Sequence, residues 1–302
     1  MKTILTGASG LIGSRFEELM FEKHEIIPLK ADITAKESIH TSLLGINADV
    51  MIHFAAKTDV DACEADKEED QLCIKHEFGE QFAFEKMDWD DSKWIKKNSA
   101  FSVNFIGTRN LYEIAKEKGM KFVYISTDFV FNGTDKYDEE SKPEPINWYG
   151  MTKWYGERLI NIENDLVVRL SFPYGYQSPV KPDFVQKLIG LLREKDEVGL
   201  IEDQTITPTF IDDIVNGLDF LLQKDAGGIY HLSGSSYENP YGMGKKICSA
   251  LGLKTKINAT TRDKIYVGKA PRPFKSVLIN DKLTSLGFKT KTFDEGLSLI
   301  TS

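Results

Sequence analysis

The chain is short of what several function classes require. It carries only three cysteines, Cys63, Cys73 and Cys248. An odd count with no secretory feature argues against a disulfide framework and for reduced thiols in a cytoplasm. Positive charge is also scarce: 38 Lys and Arg against 46 Asp and Glu leave a formal net charge of -8. Such a surface repels a phosphate polymer on average, so nucleic acid is not an expected partner. A local basic pocket for a small phosphorylated ligand stays open. No apolar run approaches the about 20 residues needed to span a bilayer. Met1-Lys2-Thr3-Ile4-Leu5-Thr6 runs straight into a glycine-rich turn, which leaves no room for a signal peptide. No membrane partner is expected. Cys63, Cys73 and His76 match no compact zinc spacing, so no metal is expected either.

What is present is ordinary globular material, with 41% hydrophobic and 28% charged residues. Short apolar runs at Lys2 to Leu5, Glu25 to Leu29, Val50 to Phe54, Phe122 to Ser126 and Leu166 to Leu170 show little alternation. That is the pattern of strands buried on both faces. Helical stretches are expected at Gly13 to Phe21, Phe105 to Lys118 and Tyr149 to Ile162. The alternation predicts an α/β fold with a doubly wound parallel sheet and a smaller C-terminal lobe. We expect residues 1–175, joined by about 208–234, to form the sheet domain, and 176–207 with 235–302 to form the lobe. Ile211 to Leu222 (a helix) and Ile229 to Ser233 (a strand) are the returning pieces. Residues at about 64–99, acidic and aromatic by turns, read as an ordered insertion.

Three motifs carry chemistry. Thr6-Gly7-Ala8-Ser9-Gly10-Leu11-Ile12-Gly13 follows a strand and opens a helix. Gly7 allows a tight turn, Gly10 lets backbone approach a pyrophosphate, and Gly13 lets helix and strand pack closely. The helix N-terminus offers its N–H groups to phosphates. After the second strand, Lys30 suits a 2′-phosphate and favours NADP(H), while Asp32 suits a free ribose and leaves NAD(H) possible. Lys30 is equally well read as a solvated surface lysine. Ser126-Thr127-Asp128 ends a strand, where open sheets hold ligands. Tyr149-Gly150-Met151-Thr152-Lys153 puts a phenol and an ammonium on one helix face. The lysine is expected to draw the tyrosine pKa down, making Tyr149 a proton donor to a carbonyl oxygen.

Together, in this order, the three resemble the extended short-chain dehydrogenase/reductase family with its Rossmann fold. More narrowly, the chain is similar to dTDP-4-dehydrorhamnose reductases. His53-Phe54-Ala55-Ala56-Lys57-Thr58-Asp59-Val60-Asp61, Ser126 to Gly133, Pro145 to Gly150, Arg169 to Phe172, Asp203-Gln204 with Pro208-Thr209, and Arg272-Pro273 with Ser276 and Leu278 carry the likeness. The resemblance implies that Thr127, Tyr149 and Lys153 are catalytic and that Ser126 lies beside the cofactor. It further implies that Phe54, Ala55, Ala56 and Thr58 line the cofactor channel, with Asn104 behind the site and Asp32-Ile33 near the adenine. Ser171 and Phe172 would flank the nicotinamide, and Thr127, Asp128, Gln204 and Arg272 would face the substrate. For Gln204 and Arg272, ordinary loop hydrogen bonding is an equal reading.

The chain departs from the family pattern at His53, usually asparagine, at Phe129, usually tyrosine, and at Phe172, where tryptophan is common. The stretch from Glu64 to Asn104 is about 30 residues longer than usual, a cheap change for a loop. It is expected to cover the site or to form a subunit contact. The resemblance implies a cytoplasmic, NAD(P)H-dependent reductase of a nucleotide-linked 4-keto-6-deoxy sugar, with a homodimer possible. Two alternatives stand beside it. One is a sugar-nucleotide epimerase or dehydratase that reuses bound NAD. Dehydratases usually set an acidic pair beside the Ser/Thr position, and Phe129 breaks that pair here. The other is a non-catalytic dinucleotide-binding subunit like the regulatory subunit of methionine adenosyltransferase.

Overall fold

The computed structural model describes residues 1–78, 98–175 and 182–301. In chain order its strands are β1 (Lys2–Thr6), β2 (Glu25–Pro28), β3 (Val50–His53), β4 (Lys121–Thr127), β5 (Thr134–Tyr137), β6 (Leu166–Leu170), β7 (Pro173–Tyr174), β8 (Glu197–Ile201), β9 (Thr209–Phe210), β10 (Gly228–His231), β11 (Lys256–Thr260) and β12 (Lys275–Leu278). The helices are α1 (Leu11–Met20), α2 (Lys36–Ser42), α3 (Val60–Phe78), α4 (Gly107–Glu117), α5 (Trp148–Glu157), α6 (Phe184–Glu194), α7 (Ile211–Gln223), α8 (Pro240–Leu251), α9 (Arg262–Ile265), α10 (Asp281–Ser285) and α11 (Phe293–Thr301).

Six strands form one parallel sheet in the order β10-β6-β4-β3-β1-β2. Successive residues of a strand feed opposite faces, which is why these strands lack a polar alternation. On one face Leu5, Val123, Ile125, Leu166 and Val168 pack with α1 and α7 through Phe16, Ile214 and Leu218. On the other, Ile4, Phe122, Tyr124 and Val167 pack with α2 and α4 through Ile39, Leu111 and Ile114. The order of strand addition reverses at β1, flanked by β2 on one side and β3 on the other, and such a switch point is where open sheets place a ligand crevice, beyond the carboxyl ends of β1 and β3. A separate core built on Val185, Leu188, Val198, Met243 and Phe293 holds α6, α8 and α11. Pairing of β5 with β12 ties that part of the chain to the strand end at Thr127.

The expected helix at Phe105 to Lys118 is two pieces. Ser102–Ile106 is π-helical and α4 follows without a break. The helix expected to reach Ile162 stops at Glu157, where Leu159 and Ile160 turn back onto Gly156 and Glu157 by i→i+3 bonds. The long acidic stretch begins as helix α3, and residues 79–97 lie outside the described residues. No helix among the described residues is long and apolar enough to cross a membrane.

Leu218 is fully buried against the sheet in α7. Leu218→Ala should lower the unfolding free energy by about 2–5 kcal/mol, read as a lower urea midpoint at unchanged slope.

Candidate active site

The glycine turn lies at the crevice. Gly7 has φ +67°, and a Cβ there would approach the Ala55 nitrogen to 2.7 Å. A Cβ on Gly13 would collide with the Gly7 carbonyl oxygen. The turn is therefore pressed against the end of β3, and only glycine permits that approach. Gly10 is the N-cap of α1 with no side-chain capping bond, and the first turn holds no acidic residue. The leading N–H groups at Leu11 and Ile12 are open to an outside acceptor, beside the exposed Ser9.

An oriented chain of hydrogen bonds connects this turn to α5. The Ala55 N–H donates to Thr6 Oγ1 at 3.2 Å, and Thr6 Oγ1 lies 2.7 Å from His53 Nδ1. His53 Nε2 lies 3.1 Å from Thr108 Oγ1, which itself donates to the Asn104 carbonyl at 2.7 Å. Because the Thr108 proton is committed to Asn104, His53 donates through Nε2 and accepts at Nδ1. Burial, reinforced by the Lys153 charge, pushes His53 well below its ordinary pKa, so the ring stays neutral. Asn104 sits in the π-helical turn, a feature frequent at functional sites. Its Oδ1 accepts the Lys57 N–H at 2.8 Å, and its Nδ2 donates to the Lys57 carbonyl and to Thr152 Oγ1 at 3.0 and 3.1 Å. Asn104 thus fixes both the loop carrying Phe54, Ala55, Ala56 and the exposed Thr58 and the middle of α5.

Thr127 ends β4, and its hydroxyl lies close enough to the Tyr149 phenol to favour the phenolate. Thr127 also lies 3.2 Å from Asp128 Oδ1, and Ser171 donates to Asp128 Oδ2 at 3.1 Å. Asp128 is 2% exposed, and burial raises its carboxyl to about 6 against the pull of these hydroxyls. Tyr149 does not have the lowered pKa expected from Lys153. Burial pushes the phenol above its ordinary value, the Thr127 hydroxyl opposes this, and the Asp128 charge adds to it. The ammonium of Lys153 is spent elsewhere, 4.1 Å from the Tyr124 ring centroid. Lys153 is 3% exposed, and among the described residues no acceptor reaches its Nζ. At the end of β4, Ser126 Oγ is buried without a hydrogen-bond partner among the described residues. An ammonium on α5 and a hydroxyl at the end of β4, both without an acceptor or donor among the described residues, fit a hydroxyl-rich ligand such as a dinucleotide ribose.

Lys30 is exposed just after β2. Asp32 is exposed too, but its Oδ1 is committed to Thr34, accepting from the backbone N–H at 3.0 Å and the hydroxyl at 2.6 Å. Ile33 packs over Gly107, and its carbonyl takes the Asn110 amide at 3.2 Å.

An aromatic wall rises opposite. Phe129 meets Tyr149 edge-on at 5.7 Å and Phe172 at 6.5 Å, and Phe172 in turn meets Phe184 at 5.6 Å. Phe172 has φ +41°, a strained value for a bulky residue and one that collects at active sites. Gln204 donates to the Pro273 carbonyl at 3.0 Å, and Arg272 Nη1 bonds Asp61 Oδ1 at 2.7 Å and the Ala270 carbonyl at 2.6 Å. Gln204 thus fixes the 270–273 loop from the β8–β9 connection, and Arg272 ties the same loop to the start of α3.

Several contributors carry no short sequence signal. Asn147 caps α5 through the Gly150 N–H and grips the Pro271 carbonyl at 2.9 Å. Glu64 accepts the Trp148 N–H at 2.7 Å, placing a carboxylate at the start of α5. Asp70 accepts from the Trp148 indole at 2.8 Å. Among the described residues no group of three or more His, Cys, Asp or Glu could hold a metal ion.

A glycine turn at the sheet's switch point, with Ser/Thr at a strand end and Tyr-x-x-x-Lys on the next helix, is the arrangement of extended short-chain dehydrogenases/reductases. Within that class the chain belongs to the family described as RmlD substrate binding domain, whose model matches residues 1–85 and 83–302. It is 29% identical to the spore coat polysaccharide biosynthesis protein SpsK of Bacillus subtilis, over 98% of this chain and 95% of that one. It is 30% identical to the beta subunit of methionine adenosyltransferase 2 of Xenopus tropicalis, over 63% of this chain and 59% of that one. Among solved structures it resembles dTDP-4-dehydrorhamnose reductase of Bacillus anthracis in complex with NADP, with a TM-score of 0.81, 30% identity and coverage of 98% and 97%.

Gly13→Ala should displace the turn. Calorimetric titration with NADPH is expected to show affinity reduced by at least about tenfold, or about 1.4 kcal/mol.

Proposed function

We propose that the protein is an NADPH-dependent reductase of a 4-keto-6-deoxy sugar carried on a nucleoside diphosphate, acting in dTDP-rhamnose formation or a related route. The observation that carries this is the closeness of Thr127 and Tyr149 at the end of β4, with a buried Lys153 on the same helix that has no acceptor among the described residues. The nicotinamide dinucleotide, when bound, supplies the hydride. Gly7, Gly10 and the α1 N-terminus would hold its phosphates, and Lys153 and Ser126 its ribose and amide groups. Thr127 would orient the ketone oxygen. Tyr149, kept protonated by its raised pKa, would deliver the proton as that oxygen becomes an alkoxide, a far stronger base than the phenolate.

Lys30 is assigned to the 2′-phosphate, because the Asp32 carboxylate is turned into its own loop. We assign residues 1–175 with about 208–234 to the dinucleotide half. Residues 176–207 and 235–302 are assigned to sugar-nucleotide binding, with Gln204 and Arg272 shaping its loop rather than committing their own polar atoms to substrate. Three free thiols fit a cytoplasmic setting.

A dehydratase reading is disfavoured because Phe129 occupies the position next to Asp128, leaving a single carboxylate there. A purely regulatory role is disfavoured by the intact Thr127, Tyr149 and Lys153 constellation. Likeness to the reductase with NADP also spans 98% of the chain, against 63% for the methionine adenosyltransferase subunit.

Two measurements test the proposal. Tyr149→Phe should lower kcat with dTDP-4-dehydrorhamnose by about 10²–10⁴-fold while leaving NADPH affinity nearly unchanged. Equal activity in the variant, or no oxidation of NADPH by the wild type with any 4-keto sugar nucleotide, would remove it. Lys30→Ala should weaken NADPH by about tenfold and leave NADH unaffected, shown by parallel titrations.

A further inference from the structure

One turn beyond Lys153, α5 carries a second buried charge. Glu157 receives both arms of Arg169 from β6, Nε to Oε1 at 2.9 Å and Nη2 to Oε2 at 2.8 Å. Arg169 is 1% exposed and Glu157 7%. Arg169 is held from its far side as well. Its guanidinium lies 5.0 Å from the Phe131 ring centroid, and its Nη1 is 3.4 Å from His231 Nε2. His231 Nδ1 faces the Ile279 carbonyl at 3.0 Å, so that nitrogen carries the proton and Nε2 accepts from Arg169. Burial and the Arg169 charge push His231 down to about 3, and the ring adds no charge. A buried ion pair is weak evidence for stability, since desolvation offsets the attraction. This one has a neighbour it can serve.

Residues four apart share a helix face, so Glu157 stands beneath Lys153. Lys153 is fixed from below by β4: the Tyr124 hydroxyl donates to the Lys153 carbonyl at 3.1 Å while the ring faces the ammonium. This closeness requires Gly156, where a Cβ would strike the Tyr124 hydroxyl. Burial drives the Lys153 ammonium down to about 7, and Glu157 is the group that opposes it.

We propose that Glu157 and Arg169 are positioning residues that hold Lys153 in its charged form, Glu157 as its counter-ion and Arg169 as the clamp that fixes and partly neutralises Glu157. This rests on the reductase reading for its meaning, because a ribose-binding, proton-assisting lysine must be a cation. The other titratable groups around Lys153 are Tyr149 on its own helix, His53 from β3, Tyr124 and Asp128 from β4, and His231 with Glu139 behind Arg169. His53 and His231 are pushed down, and Tyr124 and Tyr149 up, so all four stay neutral from about pH 6 to 9. Asp128 ionises near the acid edge of that range, and burial raises Glu139 from the ordinary carboxylate range. Lys153 is left as the group titrating around neutrality.

The test is the midpoint of Lys153 in the full-length protein, followed through its ¹³Cε shift from pH 5.5 to 9.5 and assigned by its loss in Lys153→Met. Glu157→Gln should lower that midpoint by about one pH unit and Arg169→Met should raise it, because the bared carboxylate then acts unopposed. A merely structural pair would leave both midpoints at the wild-type value, and that result overturns the inference. If Arg169→Met does not fold, the double variant Glu157→Gln/Arg169→Met leaves no unpaired charge. Its midpoint should fall between wild type and Glu157→Gln; a midpoint below that of Glu157→Gln overturns the inference. NADPH titrations across the same pH range separate the two claims. Moving midpoints without NADPH binding would defeat the reductase reading alone, and NADPH binding with fixed midpoints would defeat this inference alone.

Discussion

The site depends on how closely helix α5 can lie against strand β4. Tyr149 meets Thr127 only if the helix is seated at a fixed depth, and that depth is set by small things. Gly156 admits the Tyr124 hydroxyl, which bonds the Lys153 carbonyl. Asn104 bonds Thr152 from the side, and Asn147 and Glu64 fix the helix start through Gly150 and Trp148. Each is a hydrogen bond of modest net worth, about 1 kcal/mol. Their value lies in geometry, since proton transfer tolerates little displacement of donor from acceptor.

Burial is the second constraint, and it works against simple sequence electrostatics. The i, i+4 spacing of Tyr149 and Lys153 suggests a lysine sharpening a phenol, yet desolvation shifts both groups toward their neutral forms. A raised tyrosine keeps its proton until a stronger base arrives. A lowered lysine needs a partner to stay charged, and the partner is a glutamate whose own charge is shared with an arginine on the neighbouring strand. The charge distribution around Lys153 is therefore a property of α5, β4 and β6 together.

How much of this was legible beforehand follows from range. The five early strands, the glycine turn and the Ser126-Thr127-Asp128 and Tyr149 to Lys153 motifs are local patterns, and each lies on the expected kind of element. The contacts that shape the site are not local. Arg272 reaches Asp61 across 211 positions, and Asn147 reaches Pro271 across 124. Short elements such as β7 and β9, two residues each, leave no periodicity to read. Nor could the sequence tell that the Asp32 carboxylate bonds its own turn, because an acidic residue at that offset suits a ribose equally well.

The departure at His53 has a consequence of its own. An imidazole is a rigid spacer with its acceptor and donor on separate edges of a flat ring, so the gap between Thr6 and Thr108 is gauged by the width of that ring. Asparagine would offer the same two polarities from a much shorter arm. In this protein the end of the first strand and the start of α4 are accordingly held apart by an aromatic strut. The spacing at that end of the sheet is set by the size of one buried side chain.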